Sequence, residues 1–140
     1  MSGPLNLVTV SADDVLDRMN ALRDTIAAVQ INGRPLGEAV RIEPAARADD
    51  PIEVIIAPPS FEYRSNNLGP SSMVFEVFVI AVASEITIHN LIALERGVAD
   101  AIDLMDGAFE ATVQASAPGA WRRGGIDLPA YLIAVEMSCS

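Results

Sequence analysis

The chain has 140 residues, 51% of them apolar and 20% charged, and a net charge of −10 from 19 acidic and nine basic side chains. That is one domain's worth of sequence, enough to bury about two-thirds of its unfolded surface, and its acidity argues against a nucleic-acid binder that neutralises phosphates. All nine basic residues are Arg, which excludes lysine Schiff-base chemistry and a Walker-type phosphate loop; one Cys and one His exclude a disulfide framework, a zinc finger and a Cys/His-rich metal site.

Residues Met1 to Val10 carry no basic cluster and only a short apolar stretch, so they do not read as a signal peptide. The longest uninterrupted apolar run, Val77–Ala83, suits a strand and is too short to span a bilayer as a helix. With Cys139 one residue from the end, the chain fits a reducing compartment such as a bacterial cytoplasm.

Ser11 is placed as a helix N-cap, with Asp14 three residues on to close a capping box. Val15, Met19, Leu22, Ile26 and Val29 then recur at helical spacing. This predicts a helix over Ala12–Val29, with Asp14 and Arg18 as an i,i+4 pair and Asn32-Gly33 and Pro35 ending it. Glu38–Ile42 reads as a short strand and Pro44–Pro51 as a loop. Ile52–Ala57 reads as a strand stopped by Pro58-Pro59, and Phe61–Tyr63 as its extension. Turn residues fill Arg64–Ser72.

Met73–Ala83 is apolar on both alternating faces except for Glu76. That predicts a central strand covered on both sides, one cover belonging to another subunit if the chain itself does not supply it. A second helix is expected over Ile88–Met105, capped by Thr87 or Ser84, with Leu91, Leu94, Val98, Ile102 and Met105 as its stripe. Gly97 in its middle suggests a close neighbour. Phe109–Ser116 alternates as a half-exposed strand, with Phe109, Ala111, Val113 and Ala115 facing in. Ala117–Pro129 reads as a loop and Ala130–Met137 as a final strand, antiparallel to Phe109–Ser116. The order of elements predicts a single α+β domain over residues 1–140, with a mostly antiparallel four- or five-stranded sheet and two helices packed on one face.

No combination of residues forms a recognisable catalytic motif. His89 is the only candidate general base, and its position in the first turn of the second helix fits a surface or capping role. Asp100, Asp103 and Asp106 share one spacing and read as a solvated acidic face; a calcium loop would need denser ligands and a turn glycine. Gly124-Gly125 lacks the following helix of a phosphate cradle and reads as a turn before a strand. Trp121, Arg122 and Arg123 are residue types favoured at interface hot spots; for Trp121, an aromatic that merely covers the sheet fits equally. The chain is thus expected to have no catalytic activity and to bind no metal or cofactor.

The layout resembles the tail terminator proteins of long-tailed (siphovirus-type) bacteriophages over nearly its full length. The resemblance is carried by the opening helix, by "IEVIIAPP" at Ile52–Pro59, by "VFEVFVIAVASEITIHNLIALERGVADAIDLM" at Val74–Met105, and by the ending "GGIDLPAYLIAVEMSCS" at Gly124–Ser140. It implies an α+β subunit of a ring, hexameric in that family. Such a ring caps the tail tube, stops its polymerisation and offers a surface to the head–tail connector, or stopper, protein. It also implies a virion location at the tail–head junction after assembly in the host cytoplasm, DNA passing through the ring without specific binding, and no membrane partner. The net negative charge suits such a conduit, because it repels phosphates. The family brings no catalytic residue with it. A head–tail connector or neck protein would have similar size and ring logic, and a small cytoplasmic enzyme would need a polar pocket around His89. The candidate subunit or tail contacts are Phe61, Tyr63, Trp121, Arg122 and Arg123, with Arg122 or Arg123 opposing Asp103 or Asp106, because copies at −10 each need arginines set against carboxylates.

Overall fold

The computed structural model describes residues 10–42, 51–63, 69–105 and 109–139. Helix α1 spans Ala12–Ala27 and is capped as its sequence predicts. The Ser11 hydroxyl accepts the Asp14 N–H at 3.1 Å, and the Asp14 carboxylate accepts the Ser11 N–H at 3.3 Å. With its carboxylate used in the cap, Asp14 meets Arg18 through its backbone carbonyl instead, at 3.2 Å from Nη1. Met19, Leu22 and Ile26 are the buried stripe of the helix.

Asn32 and Gly33 then do more than end α1. With φ of 53° and 79°, they make the two-residue turn of a small hairpin between β1 (Gln30–Ile31) and β2 (Arg34–Pro35). A 3-10 turn at Gly37–Ala39 leads to β3 (Val40–Arg41), so the strand expected from Glu38 is shorter than its pattern suggests. The loop expected at Pro44–Pro51 lies, apart from Pro51, outside the described residues.

Helix α2 spans Ile88–Asp103, with the Thr87 hydroxyl accepting the Asn90 N–H at 3.1 Å. A Cβ placed on Gly97 would lie 3.4 Å from Val29 Cγ1, so a small residue here lets the chain beyond α1 approach α2 closely.

The remaining strands are β4 (Ile52–Ile56), β5 (Ser60–Tyr63), β6 (Pro70–Ala81), β7 (Ala111–Arg123) and β8 (Ile126–Ser138). They form one sheet in the order β3-β4-β6-β8-β7, with β5 also paired to β6. The architecture is α+β, but the sheet has six strands and is mixed, where the sequence predicts four or five, mostly antiparallel. Two features make the difference. The two-residue β3 runs parallel to β4, a pairing that no periodicity in so short a strand announces. The prolines 58 and 59 lack the N–H a ladder needs and split one line of strand into β4, against residues 77–81 of β6, and β5, against residues 70–74.

The largest departure is in the C-terminal third. The Ala117–Pro129 stretch expected as a loop is the distal half of a long hairpin, β7 pairing β8 from Ala111↔Met137 to Arg123↔Ile126. Gly124 and Gly125, at φ 56° and 82°, form its two-residue turn. The antiparallel pairing of the two runs is as predicted. A bulge between Val113 and Ala115 puts one extra residue into β7 and reverses the facing of everything after it. Ala115, expected to face in, is exposed, while Ser116 points toward α2 and donates to Glu95 Oε2 at 2.6 Å.

Both helices cover one face of the sheet. Met19, Leu22 and Ile26 of α1 and Leu91, Leu94, Val98 and Ile102 of α2 pack on Val54 and Ile56, on Phe75, Val77 and Val79, and on Ile133 and Val135. The other face has a separate, smaller core. Ile55, Ile80 and Ala130 are buried there under Phe78, Val82, Trp121 and Leu128. The second cover of β6 is therefore supplied, over its C-terminal half, by the chain's own hairpin. Among the described residues, no helix is long and apolar enough to cross a membrane.

Candidate assembly surface

Trp121 and Arg123 lie on β7, and β8 and β6 stand between β7 and β4 in the sheet. Both side chains nevertheless reach across. The Trp121 ring meets Phe78 of β6 edge-on, with centroids 4.7 Å apart and an interplanar angle of 61°. Arg123 Nη2 donates to Glu53 Oε1 on β4. Contacts over that distance require the tip of the hairpin to curl over the outer face. It can do so because the last β6–β8 ladder pair is Ile80↔Ala130; residues 126–129 of β8 pair only with β7.

Glu53 is the centre of this arrangement. Its side chain is fully buried, and Arg41 Nη1 donates to its Oε2 at 2.6 Å from the opposite side. One carboxylate thus takes a guanidinium on each oxygen, the pairing a buried charge requires. The fit is incomplete at one atom: Arg123 Nη1 is buried without a hydrogen-bond partner. Neither Glu53 nor Arg41 is among the candidate contacts named from the sequence. The signal for Glu53 was present, as the one charged residue in the otherwise apolar run "IEVII".

The other candidates are scattered. Arg122, 71% exposed, faces away from the dock and pairs with Asp127 across the hairpin at 3.4 Å. Asp103 accepts the backbone N–H of Val113 at 3.3 Å, beside the bulge. Within one chain, then, Arg122 and Arg123 engage Asp127 and Glu53. Asp106 lies outside the described residues. Phe61 and Tyr63 are exposed on β5, at 41% and 67%. Next to them the outer face is acidic: the Ser72 hydroxyl sits between Glu62, at 3.0 Å, and Glu136, at 3.5 Å, and Gln114 Nε2 donates to Glu136 at 2.9 Å.

The free edge of β7 is guarded. A long exposed edge strand is a template for pairing with other chains unless something blocks it. Here Asp103 occupies the outward N–H of Val113, the bulge breaks the line, and Pro118 has no N–H to give.

Among the described residues, the side chains considered for chemistry are held in structural contacts or stand alone. Asp100 pairs with Arg96 at 2.8 Å, Glu95 is buried against Ser116, and His89 is exposed. Among the described residues, no three His, Cys, Asp or Glu side chains gather as a metal site would need. Clefts of 200 and 250 Å³ flank the β1–β2 hairpin, one lined by Ile31, Leu36 and Ile52, the other by Val29, Leu94 and Gly97. A third cleft, of about 370 Å³, lies between α1 and the 3-10 turn, lined by Arg23, Ala27, Gly37, Glu38 and Val40; it alone of the three reaches the roughly 300–1,000 Å³ of a ligand pocket. At the other end of the sheet, Arg18 Nη2 donates to the Ser138 carbonyl at 3.4 Å, and its guanidinium lies 4.8 Å above the Phe109 ring. Burial pushes the nearby Cys139 thiol above its ordinary pKa, against a smaller downward pull from Arg18.

No protein-family model matches this chain, and no curated protein matches it.

Proposed function

We propose that this chain is a structural virion subunit of the tail-terminator kind: a ring-forming protein that caps the tail tube of a long-tailed bacteriophage, stops its growth and receives the head–tail connector. The observation that carries the reading is the long C-terminal hairpin, 13 residues in each strand, on a small α+β body. Its distal end is exposed except where Trp121, Arg123 and Leu128 turn onto the body, a shape suited to reaching other subunits. Three further features support the reading: the resemblance of the sequence's layout to that family, the net charge of −10 that would keep DNA moving through a ring, and the absorption of Glu53, Glu95 and Asp103 into structural contacts. It assigns the chain no catalytic step, cofactor or metal.

In this reading Phe61, Tyr63 and the Trp121–Arg123 segment face subunits or the tube, where the exposed aromatics contribute most of the contact energy. The test is direct. The purified protein is examined by light scattering and negative-stain electron microscopy, then added to growing tail tubes. Rings, with tubes shortened and capped at one end, are the expected result. Rings that bind the head-side connector but leave tube length unchanged would make the chain a connector instead, and a monomer without effect on tubes would overturn the proposal.

A further inference from the structure

We propose that the distal hairpin is an exchangeable arm: in an assembly of copies, Trp121 and Arg123 of one chain seat on the Phe78 and Glu53 dock of a second copy of this chain. The inference rests on the homo-oligomer reading above and specifies how neighbouring copies grip one another.

The arm is built to leave without unravelling the body. Beyond Ile80↔Ala130 no backbone ladder joins the hairpin to β6, so the distal segment is held to the rest by side chains alone. With four residues of each strand past that point, 120–123 and 126–129, and the two-residue turn, it reaches on the order of 15 Å. The dock is equally independent of the arm. Glu53, Ile55, Phe78 and Ile80 belong to β4 and β6, and Glu53 keeps Arg41 as a partner when Arg123 departs.

The contact is of the kind that copies of this chain need. At −10 apiece they repel one another, and a junction between them is favoured where an arginine of one meets a carboxylate of the next. Arg123 and Glu53 are already complementary in charge, and Trp121 and Phe78 in shape, so exchange requires no new surface, only the same contacts made between chains. The alternative route, strand addition along β7, is obstructed by Asp103, the bulge and Pro118. The hairpin is left with its tip as the means of reaching a second copy.

The experiment uses the full chain with Cys139→Ser, so that no native thiol interferes. Trp121→Cys and Phe78→Cys are made as separate variants, mixed under assembling conditions and oxidised. A disulfide-linked pair containing one chain of each variant is the expected product, identified by mass. A second measurement avoids both substitutions: Arg123→Ala should weaken self-association about tenfold with an unchanged circular dichroism spectrum, while Arg23→Ala, at an arginine of α1 paired with Asp24, leaves it intact. If the Trp121→Cys/Phe78→Cys double variant closes only within single chains and the mixture gives no cross-linked pair, or if Arg123→Ala assembles as the parent does, arm exchange is overturned. Rings that form without interchain disulfides would defeat the arm and leave the ring reading standing. Interchain disulfides in a dimer that never closes into a ring would do the reverse, and a chain monomeric at every concentration would defeat both.

Discussion

The two faces of the sheet are held by different physics. The helix-covered face is a broad apolar core in which Phe75, Val77, Val79, Val98, Ile102 and Ile133 are completely buried, and its stabilisation is non-directional and shared among many side chains. The outer face has three buried apolar residues, one aromatic contact and one buried carboxylate between two arginines. There, a few directional contacts decide whether the hairpin tip stays down. A face held by many weak contacts resists the loss of any one of them without changing shape; a face held by few is the part of a subunit that is able to change partners.

Substitutions sharpen that contrast. The largest effect is expected inside. Phe75→Ala should destabilise the whole domain by about 3–5 kcal/mol, with tryptophan emission and circular dichroism falling together in urea, because a cavity in the shared core weakens everything packed on it. Glu53→Ala comes next, at about 3 kcal/mol, since it leaves two guanidinium groups facing each other with their common partner gone. Its signature should differ in kind. Trp121 is the only tryptophan, so a red-shifted emission before any loss of secondary structure would report a lifted tip over an intact body. Coincident transitions in this variant would erase the distinction between the faces.

The sequence announces the inner face far better than the outer one. The α1 cap at Ser11 and Asp14, the apolar stripes of both helices, and the two-sided pattern of β6 are local or periodic signals, and the structure matches them closely. The distal hairpin was illegible for a definite reason. Between Ala115 and Ala120 the chain is "ASAPGA", small residues with a proline and a glycine, without large side chains to alternate. That strand is specified by the Gly124-Gly125 turn and by its partner β8, not by its own pattern. Pro118 and Pro129 add a loop signal, yet Pro118 is tolerated because β7 is an edge. The candidate surface was legible in residue type and not in pairing. Trp121 and Arg123 were recognisable as anchors, but Glu53 lies 70 residues away in sequence, and no spacing rule connects them.

A smaller effect separates the guarded edge from the tip. Asp103→Ala removes the acceptor for Val113 N–H and should cost about 1 kcal/mol of stability, the typical net value of one hydrogen bond. Its more telling consequence is exposure of an unpaired edge donor. Light scattering should show slow, concentration-dependent association into extended species instead of closed assemblies. Unchanged scattering would mean that the bulge and Pro118 guard the edge without help.

The smallest effect is expected at the residue next to the most important arginine of the tip. Arg122 and Arg123 are neighbours in a strand and therefore point to opposite faces. Arg123 turns onto the sheet, where its Nη2 meets a carboxylate with no solvent exposure, and Arg122 turns to water, where it pairs with Asp127 while both side chains stay more than half exposed. Exposed pairs of this sort contribute roughly 0–1 kcal/mol and fade with salt. Arg122→Ala should therefore change the stability read from urea unfolding by less than about 0.5 kcal/mol and leave Trp121 emission in place, whereas Arg123→Ala shifts that emission to the red. If the two substitutions behave alike, the directionality of the outer face is lost, and the tip is held by its apolar contacts with Phe78 and Ile80 and not by Glu53.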